Sequence, residues 1–122
     1  MADATMRFFE DLDQRGYDPL LAKISGTLRF DLHEGPQTTH WLVRIDRGRI
    51  QVSRQDMEAD TVIGASPAMM EGMVTGRENG LAALLRGDMT VSGDARLMVE
   101  LERIFPGPPH AQGPRWYGKG VR

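Results

Sequence analysis

The sequence contains no cysteine, which excludes disulfides and thiolate metal sites and leaves the redox compartment open. It also has no marked excess of one charge. Fifteen basic and 17 acidic residues give a formal net charge of -2, so there is no electrostatic pull toward polyphosphate and no case for nucleic acid as a partner. No apolar run approaches the length of a membrane span, and the opening MADATMRFFEDLDQRG is too charged for a secretory signal. A soluble, cytoplasmic protein is therefore expected. Despite 14 glycines there is no phosphate-cradling pattern of the P-loop or dinucleotide kind, and there is no internal repeat.

What is present fits one domain of 122 residues, large enough to bury roughly two thirds of its unfolded surface. From Thr5 to Arg15, Met6, Phe8, Phe9 and Leu12 fall on one helical face, and Gly16 stops the pattern. Asp18-Pro19 opens a short apolar stretch, Leu20, Leu21 and Ile24, before the period changes to two. Leu28, Phe30 and Leu32 alternate with Arg29, Asp31 and His33. Trp41, Val43 and Ile45 oppose Leu42, Arg44 and Asp46, with Glu34 to Thr39 read as the turn between. Asp46-Arg47-Gly48 signals a tight turn into RIQVSR, where Ile50 and Val52 share a face, and a fourth strand fits Asp60 to Ala65. One apolar and one polar face per strand is the pattern of a mostly antiparallel sheet covered on one side by helices.

Ser66-Pro67 caps and opens a helix with Met69, Met70, Met73 and Val74 on its apolar face. Asn79 caps a shorter one whose expected buried face is Leu81, Leu84 and Leu85. The stretch GDMTVSGDARLMVELERIF then holds two Gly-Asp pairs around Met89-Thr90-Val91-Ser92. A fifth strand, a glycine turn and an Asp94 cap account for both pairs without any catalytic role. Leu97, Met98, Leu101, Ile104 and Phe105 form the inner face of the last helix. Residues 1–110 thus make the domain, and 111–122, with Arg115, Trp116, Tyr117, Lys119, Arg122 and no acidic residue, make a tail. A disordered or simply docked terminus is the simpler reading of that tail, and contact with an anionic membrane surface is the other.

Candidate chemistry is sparse. GASPA resembles a nucleophile elbow, but Ala68 breaks the motif, and Pro67 lacks the backbone N–H that the oxyanion hole would use. Ser66 is therefore read as a cap. His33 and His40 flank the first hairpin, where they can face one another near Glu34. Without a metal-ligand spacing they are read as solvated, and no metal, cofactor or catalytic residue is assigned. Asp88 and Asp94 are read as turn and cap. Six of the eight methionines follow residue 56, several on inner faces, which suits either an ordinary core or a surface that accommodates varied apolar partners.

The spacing of Gly26, Gly48, Gly76, Gly87 and Gly93-Asp94 resembles that of the sterol carrier protein 2 family. Gly26-Thr27-Leu28-Arg29-Phe30-Asp31 matches its first strand, and Gly87-Asp88-Met89-Thr90-Val91-Ser92-Gly93-Asp94 matches its last strand and turn, between a helix at Leu81 to Arg86 and an end at Ile104-Phe105. Asp88 stands where members commonly have lysine, Glu78-Asn79-Gly80 where Asn-Pro is common, and the final Gly120-Val121-Arg122 is not the peroxisomal Ser-Lys-Leu address of eukaryotic members. The resemblance implies an α+β fold, a five-stranded sheet with helices on one face, and an apolar tunnel that takes fatty acids, acyl-CoA esters, sterols or related lipids without catalysis. The expected walls are Phe30, Trp41, Val43, Met69, Met70, Met73, Leu81, Leu84, Met89, Met98 and Leu101. The alternative is an interaction or dimerisation module of the same fold with its cavity filled by side chains, monomeric or homodimeric.

Overall fold

The computed structural model describes residues 4–102 and Phe105. The expected inner-face residue Ile104 and the tail lie outside the described residues. Helix α1 is Ala4–Arg15, followed by a 3-10 turn at Pro19–Leu21. Strands β1 (Ser25–Glu34), β2 (Gln37–Asp46), β3 (Arg49–Ser53) and β4 (Thr61–Ala65) precede helices α2 (Pro67–Val74) and α3 (Gly80–Arg86). Strand β5 (Thr90–Gly93) and helix α4 (Ala95–Leu101) complete the order. The β1–β2 turn is tighter than the sequence suggests, because Glu34 pairs with Gln37 and Thr38 and Thr39 already belong to β2.

The strands form one sheet in the order β3-β2-β1-β4-β5. All neighbours are antiparallel except β1 and β4, which run parallel. Register places Leu28, Phe30 and Leu32 beside Val43, Trp41 and Thr39 on one side and Thr61, Ile63 and Ala65 on the other. This inner face joins Phe9 and Leu12 of α1, Met70 and Met73 of α2, and Leu97, Met98 and Leu101 of α4 in a single buried cluster. The helices reach it because their ends are fixed locally. Met69 N–H donates to Ser66 Oγ at 3.1 Å, Ala82 N–H to Asn79 Oδ1 at 2.9 Å, and Arg96 N–H to Asp94 Oδ1 at 3.0 Å. Gly93 turns β5 into α4 with φ of +88°, and a Cβ there would collide with the Asp60 carbonyl.

The outer face is polar but not bare. Residues 54–60 connect β3 to β4 and lie over it: Arg29 Nη1 donates to the Met57 carbonyl at 2.8 Å and stands 3.4 Å from Asp56. Arg29 also forks onto Asp31 at 2.8 and 3.0 Å, and His40 Nδ1 contacts the same carboxylate at 2.8 Å while its Nε2 is 3.6 Å from Asp56. Leu42, in the Arg29 row, is 2% exposed beneath this layer. Burial alone would raise the Asp31 carboxyl, but hydrogen bonds from Arg29 and His40 outweigh it and hold it below the ordinary carboxylate value. A depressed native pKa contributes stability that is present above the unfolded value, about 3.9, and is lost as pH falls through the native one. Asp31→Asn is expected to cost about 2 kcal/mol at neutral pH in urea denaturation and to flatten the acid side of the stability profile. An unchanged midpoint would remove the clasp from the account of stability.

Candidate functional site

The inner face ends in an aromatic group. Phe9, fully buried, stacks on Trp41 with centroids 4.6 Å apart and planes 13° from parallel, and meets Phe30 edge-on at 5.3 Å and 61°. Phe8 stacks on Phe105 at 4.8 Å, which ties the chain beyond α4 to α1. Beside Trp41 a cleft of about 220 Å³ opens, lined by Thr5 and Met6 of α1, Leu32 and Glu34 of β1, Thr39 and Trp41 of β2, Arg54, and Pro67 of α2. Leu32 and Trp41 belong to the buried cluster, so the cleft leads directly to the core. Two other hollows, of about 320 and 310 Å³, are lined largely by Arg44, Gln51 and other polar residues near β3. Of the buried cluster only Ile50 lines either of them.

At the lip, the Arg54 guanidinium lies 4.1 Å over the Trp41 ring centroid. Sequence reasoning did not single out Arg54, yet the signal was there: it continues the alternation of Ile50 and Val52 and so falls on the inner face at the end of β3.

Of the expected walls, Phe30, Trp41, Val43, Met70, Met73, Met89, Met98 and Leu101 lie in the cluster at 0 to 7% exposure. Met69 and Leu84 are half-buried and pack against it. Leu81 is a correction: it is 50% exposed, and Leu85 is 81% exposed, so the buried face of α3 is not the leucine face. Gly80 and Ala83 turn inward instead, because the Glu102 carboxylate and Met73 sulfur pack against Gly80 and leave no room there for a side chain. Small residues at i and i+3 were the overlooked signal. Burial pushes the Glu102 carboxyl above its ordinary value.

The histidines also differ from expectation. His33 pairs in register with Thr38 and contacts its hydroxyl at 3.0 Å, whereas His40 pairs with Asp31, so the two do not face each other. Among the described residues no group of three or more His, Asp or Glu is placed to hold a metal ion. Asp88 pairs with Arg86 at 2.9 Å, while Ser66 and Asp94 are caps.

Comparison with known proteins follows the same architecture. The model of the SCP-2 sterol transfer family matches residues 8–106. The chain belongs to that family. Sterol carrier protein 2 of Gallus gallus is 24% identical over 98 residues, covering 78% of this chain and 18% of that protein, so the chain spans less than a fifth of the curated relative's length. Among solved structures, sterol carrier protein domain 2 of Helicoverpa armigera superposes with a TM-score of 0.67 at 18% identity, over 83% of this chain and 87% of that one. Sterol carrier protein 2 of Aedes aegypti, solved in complex with palmitate, gives 0.67 at 20% identity, over 84% and 94%. The mixed sheet with helices on one face is thus the family fold. No helix among the described residues is long and apolar enough to cross a membrane.

Burial separates the two kinds of apolar position sharply. Met70→Ala, at a fully buried site, is expected to cost about 2–5 kcal/mol in denaturant unfolding, whereas Leu85→Glu is expected to stay within about 0.5 kcal/mol of the parent. Equal costs would show that α3 does not sit as described.

Proposed function

We propose that the chain binds a lipid-like hydrophobic molecule without catalysing its conversion, and holds or transfers it in an aqueous compartment, which we take to be the cytoplasm. The observation that carries this reading is that the cleft at Trp41 has members of the buried cluster as its floor, so an apolar chain entering there meets the core. The solved Aedes aegypti relative with palmitate bound supports the ligand class. A cleft of about 220 Å³ is smaller than the roughly 300–1,000 Å³ of small-molecule pockets, so a long chain has to part α2, which begins at its rim with Pro67, from the sheet. Met70, Met73, Met89 and Met98 are suited to that repacking, being unbranched and flexible. At about 0.8 kcal/mol per buried methylene, a chain of roughly sixteen carbons gains on the order of 10 kcal/mol gross before ordering costs.

The tight packing of those same residues favours one competing reading, an accessory or dimerisation module with a filled interior. Native mass spectrometry of freshly purified protein distinguishes the two. Lipid binding is expected to appear as a stoichiometric adduct, or as uptake from an added lipid panel, and Met73→Trp is expected to weaken uptake at least tenfold while unfolding stays cooperative. A clean apo mass with no uptake, together with self-association in sedimentation, would replace this reading with the accessory one.

A further inference from the structure

A ligand held by apolar contact alone needs no charge at the mouth of its cleft. This mouth carries a prepared cation. Arg54 ends the alternating run of β3, its guanidinium lies 4.1 Å over Trp41, and it has no ion-pair partner among the described residues. Among the described residues Arg15, Arg29, Arg86 and Arg96 are ion-paired, whereas Arg7, Arg44, Arg47, Arg49 and Arg77 are not, so what sets Arg54 apart is its stacking on Trp41 at the cleft. The remaining polar groups lining the cleft are the hydroxyls of Thr5 and Thr39 and the carboxylate of Glu34.

We propose that this mouth is a head-group subsite in which Arg54 selects hydrophobic ligands with a carboxylate head over their neutral counterparts. The inference rests on the lipid-binding reading. Stacking on Trp41 already removes water from one face of the guanidinium and fixes its direction, so pairing with a carboxylate requires little further ordering. The planar fork matches a carboxylate in a bidentate contact, and the threonine hydroxyls can donate to the same oxygens. Glu34 on the same rim works in the opposite direction. It opposes accumulation of negative charge, which favours a single carboxylate over a phosphate dianion and makes Glu34 a second handle on the same selectivity.

The test uses the full chain with Trp116→Phe, which leaves Trp41 as the only tryptophan. Quenching of Trp41 fluorescence is titrated with dibromostearic acid and, separately, with its methyl ester, above the acid's own pKa in the assay. The parent is expected to bind the acid at least tenfold more tightly than the ester. In Arg54→Gln that ratio is expected to fall to about one, and in Glu34→Gln to rise several-fold, with circular dichroism reporting the fold of each variant. Equal binding of acid and ester by the parent, or a ratio that survives Arg54→Gln, would overturn the subsite and leave lipid binding intact. Failure of both probes to quench, with no adduct in native mass spectrometry, would overturn the subsite together with the reading beneath it. If Arg54→Gln fails to fold, the Glu34→Gln ratio decides: an unchanged ratio counts against the subsite.

Discussion

Seven residues, 54–60, carry the chain from the edge strand β3 to β4 on the far side of β1, and this short reach constrains everything else. Crossing β2 and β1 spans three strand spacings, about 14–15 Å, within the roughly 23 Å that seven extended residues cover. A detour over a helical layer, about 10 Å above the sheet, would exceed that length. The connection therefore lies directly on one face and the helices must take the other. Arg29, Asp31, His40 and Asp56 are the chemical form of that constraint, since backbone laid across a sheet needs partners for its carbonyls, as the Met57 carbonyl finds in Arg29.

The same connection links the two faces. Its first residue, Arg54, sits on the inner face over Trp41, while Asp56, two residues on, is held on the outer face by Arg29 and His40. The chain must turn around the end of β3 between them, so the clasp on the outer face limits where Arg54 can stand. Arginine's long stem tolerates small shifts, but a stacked guanidinium is positioned by the ring beneath it, and Trp41 is in turn positioned by Phe9. The aromatic group thus orders the mouth as well as filling the core.

Much of this was legible in the sequence. Period-two alternation in TLRFDLH, WLVRID and RIQVSR gives the inner row correctly, because a strand half-buried on one face cannot slip by a residue without exposing its whole apolar set. The caps Ser66, Asn79 and Asp94 were legible because each has a local mechanism. What was not legible depends on who lies opposite. His33 and His40 are separated by register, which the sequence of one strand does not contain. The parallel β1–β4 pair and the crossing of residues 54–60 are likewise properties of strand order. The face of α3 was misassigned because three leucines outweigh a glycine and an alanine in any hydrophobic pattern, while close approach to Glu102 and Met73 rewards the small residues. We propose that residues 1–110 form the domain, and the family match covers residues 8–106 of that span.

A closed interior and a lipid-binding role are physically consistent with each other. An empty tunnel wide enough for an acyl chain would forfeit dispersion contacts along its whole lining, roughly 24 cal/mol per Å³ by the measure of engineered cavities, so a domain of this size is more stable collapsed when no ligand is present. Collapse is least costly to reverse where the filling side chains have several rotamers of similar energy. The core is divided along that line: Phe9, Phe30 and Trp41 lock one end by ring contacts, whereas Met70 and Met73 of α2, Met98 of α4 and Met89 just before β5 contribute flexible side chains to the rest. Met70 and Met73 lie on α2, whose first residue, Pro67, lines the cleft, so the flexible filling side chains come closest to the opening along that helix. Opening is therefore expected along the α2 side, next to the cleft where Pro67 begins that helix, with the aromatic end left as the fixed wall against which a ligand chain is laid.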